Sequence, residues 1–314
     1  MKKMAFVFPG QGSQSVGMGR DWADESTVVR ETFEEADQAL GFSLSKLCWE
    51  GPESDLQLTA NTQPAILATS VAIQRGVQEA GIAPEIMAGH SLGEYSALVT
   101  AGSLSLADAL ALVRRRGELM QEAVPVGEGA MAAILGLEAA AVATVAEQAS
   151  EDQICSVANL NAPTQIVVAG HKEAVERAVV LAKEAGARRA VLLPVSAPFH
   201  SPLMAPAREG LTPFLEEAAF LDFSIPVVSN VEAEPVTAGD MARQCLIRQV
   251  DGPVRWVESV QWMADEGGVE LFVEVGPGTV LTGLFRKISP GVQAVSLSRP
   301  SGLEKLRSKL EGAE

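Results

Sequence analysis

Gly89-His90-Ser91-Leu92-Gly93 sets a serine between two glycines, the G-x-S-x-G spacing of a nucleophile elbow. Ile86-Met87-Ala88 ahead of it is a short apolar run suited to a buried strand, and Leu92–Val99 behind it has helical character. A strand that turns at once into a helix lifts the serine hydroxyl onto an exposed tip. A side chain at either glycine would crowd that turn. The turn also aims the Leu92 N–H toward any oxygen the serine attacks. Free donors and the positive end of a helix suit an oxyanion there.

A serine is a weak nucleophile until a base activates it, and histidine is the usual activator. The chain holds three histidines. His90 adjoins the serine, so its ring points elsewhere, either as a polar wall of the site that contacts substrate or as packing for the elbow. His171 stands at a strand-to-helix turn before Lys172-Glu173-Ala174-Val175 and reads as a surface cap. His200 lies in a Pro-bracketed loop, Pro198-Phe199-His200-Ser201-Pro202, after the apolar run Ala190–Pro194. Catalytic groups are commonly mounted on such loops. By elimination and setting His200 is the base; the alternative is a loop histidine bonded to backbone.

The elements that must position these residues alternate. Ala5–Phe8 reads as a first strand, followed by the glycine-rich loop Pro9–Gly19. That loop fails the dinucleotide fingerprint, with Ser15 where G-x-G-x-x-G needs glycine, and no G-K-[ST] follows. Ser26 can cap a helix through Leu40, Asn61-Thr62-Gln63-Pro64 opens another, and Ser105–Val124 is long and amphipathic. Residues 130–195 then alternate in shorter units. They read as strand Met131–Leu135, helix Glu138–Ala149, strands Ile154–Ala158 and Gln165–Ala169, helix Lys172–Gly186 and strand Arg189–Val195. That is βαββαβ, the ferredoxin-like order, in a compact unit whose ends should lie close. Afterwards come a helix at Leu203–Ala218, a strand at Ile225–Ser229, helices at Met241–Val250 and Val254–Glu266, a strand at Glu270–Val275 and a helix beyond Gly276-Pro277-Gly278. Alternating strands and helices predict a mostly parallel sheet covered on both faces.

Composition narrows the partners and the compartment. The 314 residues carry a formal net charge of −16, which argues against nucleic acid or an anionic membrane as a bulk partner. Cys48, Cys155 and Cys245 are far apart and in no C-x-x-C pair, as befits free thiols of a reducing compartment. The basic and apolar N-terminus breaks at Pro9-Gly10, too early for a signal peptide, and no apolar run is long enough to span a bilayer. A cytoplasmic location is the expectation.

Several motifs in one order carry a resemblance. They are Phe8-Pro9-Gly10-Gln11-Gly12-Ser13-Gln14, Gly89–Tyr95, Arg116-Gly117 with Met120–Val124, Pro198-Phe199-His200, Gln249, Pro253-Val254-Arg255-Trp256 and Glu274–Gly278. Over nearly its whole length the chain resembles the malonyl-CoA:acyl-carrier-protein transacylase family of bacterial fatty-acid synthesis, and the acyltransferase domains of polyketide synthases. The resemblance implies an α/β fold: a hydrolase-like core with a mostly parallel sheet, residues 1–127 and 197–314, and an inserted ferredoxin-like subdomain, 128–196.

What the resemblance implies about the site goes further than the residues alone. Ser91 would take the malonyl group as an ester, and His200 would serve as base and then acid. The backbone carbonyl near Gln249 would orient the imidazole, so Asp251 is not needed in a triad. The Gln11 N–H would join that of Leu92 in the oxyanion hole, where such donors contribute on the order of 3 kcal/mol each. Three consecutive arginines, Arg114-Arg115-Arg116, cover most of a helix circumference, so at least one faces inward. The resemblance selects Arg116 to bind the malonyl carboxylate, a task that suits the planar fork of arginine. Met120, His90 and Phe199 complete the substrate wall. The Phe199 ring would crowd an α-methyl branch, worth about 1–3 kcal/mol of discrimination. Some stand-alone transacylases carry a smaller residue there.

No metal and no bound cofactor is expected, since the thiols of coenzyme A and of the phosphopantetheine arm carry the chemistry. The expected partners are malonyl-CoA and acyl carrier protein, with the enzyme a monomer. Arg188-Arg189 and Arg286-Lys287 are candidate docking charges for an acidic carrier. Three other readings compete: a serine hydrolase such as a thioesterase or patatin-like lipase, a non-catalytic scaffold subunit, and a trans-acting polyketide acyltransferase. Asp251-Gly252-Pro253 ends in proline where a patatin-like D-G-[GA] needs a small residue.

Overall fold

The computed structural model describes residues 2–195 and 197–311. Its strands in chain order are β1 (Met4–Phe8), β2 (Ile86–Gly89), β3 (Gly129–Leu135), β4 (Cys155–Ala162), β5 (Gln165–His171), β6 (Arg189–Leu192), β7 (Val227–Val228), β8 (Pro235–Val236), β9 (Leu271–Glu274) and β10 (Gln293–Ser296). They form two sheets, β10-β9-β1-β2-β7-β8 and β4-β5-β3-β6.

β1 lies at the centre of the large sheet, parallel to β2 and β9, with Phe8 beside Gly89 and Val7 beside Glu274. Its five residues are all buried, which is why it reads as a continuous apolar run rather than an alternating one. Successive side chains still serve opposite faces. Met4, Phe6, Phe8 and Met87 enter one core, with helices Thr27–Leu40, Thr59–Glu79 and Leu106–Glu122. Ala5, Val7, Ile86 and Ala88 enter the other, against Trp256–Asp265 and Thr282–Ile288. The mostly parallel sheet with helices on both faces matches the sequence expectation. Only the pair β7–β8 is antiparallel in it.

The second sheet is antiparallel throughout, and its elements follow the order βαββαβ. One face carries Ala132, Ile134, Ile166 and Val168 against helices Ala139–Ser150 and Lys172–Glu184. The other turns Met131, Ala158, Val167 and Ala169 into the large core. Backbone bonds from Leu160 N to Val254 O and from Val254 N to Ala158 O, each 2.9 Å, tie β4 to the main body. Ser196, the last residue of the expected insert, lies outside the described residues.

Several predicted elements shift. The helix expected to open at Asn61 begins at Thr59, which places Pro64 inside it. Proline has no N–H for the carbonyl four residues back. The freed Ala60 O instead accepts from Arg114 Nη1 at 3.1 Å. The strand expected through Val195 stops at Leu192, ahead of Pro194, because proline cannot donate to a ladder. The strand expected over Ile225–Ser229 shrinks to Val227–Val228. β8, β10 and the helix Ser301–Leu310 were not among the expected elements. Ser26 and Ser105 cap their helices as expected, accepting from Val29 N and Asp108 N. Among the described residues no helix is long and apolar enough to cross a membrane.

Candidate active site

The carboxyl ends of β1 and β2 lie side by side, so the loops leaving them meet. Only glycine permits that approach. A Cβ at Gly89 would stand 1.8 Å from the Gly93 carbonyl carbon, one at Gly93 2.1 Å from Phe8 O, and one at Gly10 2.4 Å from His90 O. Between them Ser91 adopts φ +53°, the left-handed strain expected at an elbow tip. Asn230 clips the turn from outside. Its Oδ1 accepts from Ser91 N at 2.7 Å, and its Nδ2 donates to Gly89 O at 2.6 Å.

His200 comes from the loop after β6, also at positive φ, +59°. Its Nδ1 faces two carbonyls, Gln249 O at 3.0 Å and Gly252 O at 3.2 Å. Two acceptors there place the ring proton on Nδ1 and leave the Nε2 lone pair for Ser91 Oγ, 2.7 Å away. Asp251 does not take part; it pairs with Arg208 at 2.8 Å. Burial, reinforced by the nearby Arg116 charge, pushes the His200 imidazole down to about 3. The ring is therefore neutral at pH 7 and able to accept a proton.

Arg116 is 2 % exposed, whereas Arg114 and Arg115 lie partly in solvent and share Glu118. Its Nη1 donates to Gln63 Oε1 at 2.9 Å, and its Nη2 to Gln249 Oε1 at 2.9 Å and Ser91 Oγ at 3.2 Å. The guanidinium also sits 5.7 Å from the centre of the Tyr95 ring. A buried cation thus lies in hydrogen-bond contact with the serine hydroxyl.

Gln11, His90, Ser91, Leu92, Arg116, Met120, Phe199 and His200 line one cavity of about 680 Å³, with Met131, Asn159, Asn161 and Val167 of the second sheet opposite. Among the described residues neither the Gln11 N–H nor the Leu92 N–H donates to a protein acceptor. His90 lines the cavity and is also structural. Its Nε2 lies 2.7 Å from Asn161 Oδ1, and its ring meets Trp256 edge-on. His171 holds the N-cap position of Lys172–Glu184, but its Nδ1 accepts from Ile154 N rather than from that helix. Lys287, one of the candidate docking charges, reaches Gln165 at the cavity wall.

All nine predicted site residues therefore gather at one place. Sequence reasoning missed the residues behind them: Asn230, Glu94, Gln63 and the Gly252 carbonyl. Glu94 alone offered a signal, since a carboxylate three residues after the serine, on the inward side of the elbow helix, is out of place in a core.

A model of the family described as acyl transferase domain matches residues 5–296. The chain belongs to the acyl transferase domain family. It is 52% identical to the malonyl CoA-acyl carrier protein transacylase of Escherichia coli K12 over 304 residues, covering 96% of this chain and 98% of that one. The malonyl CoA-acyl carrier protein transacylase structure from Coxiella burnetii superimposes with a TM-score of 0.96 at 42% identity, covering 98% of each chain. A malonyl-transacylase solved in complex with a type II PKS acyl-carrier protein gives 0.95 at 47% identity, covering 99% of each.

Proposed function

We propose that this acyl transferase moves malonyl groups from malonyl-CoA to the phosphopantetheine thiol of an acyl carrier protein, through a malonyl ester on Ser91. The observation that carries the reading is the contact between Arg116 Nη2 and Ser91 Oγ. A malonyl thioester has its free carboxylate two bonds beyond the carbonyl under attack. A buried cation touching the nucleophile suits that acyl group and no uncharged one.

In the first half-reaction the malonyl carboxylate pairs with Arg116, and the thioester oxygen faces the N–H groups of Gln11 and Leu92. Ser91 Oγ attacks the carbonyl carbon while its proton passes to His200 Nε2. The carbonyls of Gln249 and Gly252 stabilise the imidazolium through Nδ1–H. The tetrahedral adduct collapses, the C–S bond breaks, and the coenzyme A sulfur leaves with the proton from Nε2. The second half-reaction runs the same steps in reverse with the carrier thiol as nucleophile. Both thiols belong to the substrates, so these steps call for no resident cofactor.

Residues 1–127 and 197–314 serve as the catalytic core in this reading, and the insert 128–196 supplies the opposite cavity wall. The three free cysteines are buried, as suits a reducing cytoplasm.

The test is intact-mass measurement after mixing with malonyl-CoA, then with holo-carrier. An adduct on Ser91 that the carrier discharges as malonyl-carrier supports the transferase. Release mainly as free malonate, with carrier present, would replace it with a hydrolase.

A further inference from the structure

Arg116 makes its hydrogen bonds to neutral oxygens: two amide carbonyls and a hydroxyl. An amide oxygen orients a guanidinium without cancelling its charge, so the charge stays available to a ligand. What orients the amide is then decisive.

Gln249 is fully buried, and only one orientation of its side chain fits. Its Nε2 faces Glu94 Oε2 at 2.8 Å, Ser91 O at 2.9 Å and Asn230 Oδ1 at 3.4 Å. All three are acceptors. Turned over, the amide would set its oxygen against a carboxylate and present its NH₂ to Arg116. Glu94 supplies the formal charge in that trio. It stands in the first turn of the elbow helix, where the positive helix end favours a carboxylate, and its Oε2 also accepts from Asn230 N at 3.1 Å.

We propose that Glu94 is a positioning residue for acyl selection: its carboxylate holds the Gln249 amide with Oε1 toward Arg116, and so fixes, without neutralising, the guanidinium that receives the acyl carboxylate. This rests on the malonyl-transfer reading above.

Arg116 faces Glu94 from one helix, Arg248 and Cys245 from another, and Tyr95 adjoins it. Burial pushes the Glu94 carboxyl up to about 7. Tyr95 is pushed up to about 12, the Cys245 thiol is raised, and both arginines keep their charge. His200, pushed down to about 3, and His90, lowered by burial, stay neutral. Glu94 is thus the group that changes charge near neutrality. Once protonated, it offers an O–H to Gln249 Oε1 and turns the amide away from Arg116.

The experiment compares kcat and KM for malonyl-CoA and acetyl-CoA, with holo-carrier as acceptor. In the wild type, the malonyl-to-acetyl ratio of kcat/KM rises between about pH 5.5 and 8.5 as the carboxyl ionises. In Glu94→Gln, malonyl kcat/KM falls about tenfold more than acetyl, mainly through KM, and the pH dependence of the ratio disappears. Glu94→Asp, which keeps the charge, recovers part of the discrimination. Equal losses on both donors, or a ratio flat with pH in the wild type, would overturn the proposal; the wild-type measurement stands even if Glu94→Gln does not fold. Failure of the malonyl-transfer reading looks different, because the wild type would then form no malonyl adduct at any pH.

Discussion

Arg116 and Ser91 share a hydrogen bond across the cavity floor, Nη2 to Oγ at 3.2 Å, while His200 Nε2 approaches the same oxygen at 2.7 Å. In the proposed reaction, one hydroxyl therefore faces both the group that would read the acyl chain and the group that would take the serine proton, which puts selection and attack within one side chain's reach. Removing the cation should hurt charged acyl groups most. Arg116→Ala should lower malonyl kcat/KM about 100-fold, the equivalent of one lost charge-assisted contact near 3 kcal/mol, and acetyl kcat/KM far less. Parallel assays of the two donors check this, and equal losses would remove Arg116 from the carboxylate role.

Ser91→Ala keeps Arg116 and the Gln11 and Leu92 N–H groups but removes the atom proposed to form the ester. No covalent acyl adduct should form with malonyl-CoA in intact-mass spectra, although the donor still binds. An adduct of undiminished yield would place the nucleophile elsewhere.

In the proposed mechanism the His200 imidazole acts as base only when neutral. Its pKa is lowered to about 3, chiefly by burial and then by the Arg116 charge. Below its ordinary value of 6.5 it therefore stays deprotonated where a free imidazole would not. Ser91 acylation by acetyl-CoA, which does not engage Arg116 through a carboxylate, should hold its rate from pH 7 down to about pH 5. A stopped-flow profile with a half-maximal point near 6.5 would contradict it.

Asn230 grips both sides of the elbow but does not itself line the cavity and makes no hydrogen bond to Arg116. Asn230→Ala leaves the partly buried Ser91 N–H and the Gly89 carbonyl without this partner, a loss of about 1–3 kcal/mol in stability. Malonyl and acetyl transfer should fall together, since the serine is displaced for both. Urea denaturation and the two-donor assay separate this outcome from the acyl-selective one expected at Glu94.

Phe199 is 8 % exposed and lines the cavity beside His200. Phe199→Ser opens space for a branch at the α-carbon. The methylmalonyl-to-malonyl ratio of kcat/KM should rise about tenfold, consistent with roughly 1–3 kcal/mol for one methyl group. Competition assays with both donors measure it, and an unchanged ratio would shift specificity to another wall residue.

Gly93 shows how little latitude the elbow has. A Cβ there would meet Phe8 O at 2.1 Å, and neither the central strand nor the helix start can move away. Gly93→Ala should cost more than about 3 kcal/mol, in the range reserved for core overpacking and backbone strain. A chemical denaturation midpoint close to the wild type would contradict the contact.

Much of this was legible along the chain. The apolar run before Gly89 and the glycines flanking Ser91 specified a strand, a sharp turn and a helix, because local sterics allow little else. The βαββαβ order of the second sheet followed from short apolar runs alternating with helical stretches. Ser91 and His200 could be singled out by residue chemistry and loop setting. The short strands β8 and β10 were not read, since what places each is its pairing with another strand, β7 or β9.

What only the tertiary structure decided is which distant polar groups meet. Arg114, Arg115 and Arg116 are equivalent as sequence; packing of Leu106–Glu122 against Thr59–Glu79 buries one and leaves the others wet. Gln249 is one glutamine among many until its amide stands between Glu94 and Arg116. Asn230 likewise gains its function only beside Gly89 and Ser91. Local propensity acts over a few residues and is written in the order of the chain. The direction of a buried hydrogen bond depends on every partner around it, and those partners come together only once the sheets have closed over the site.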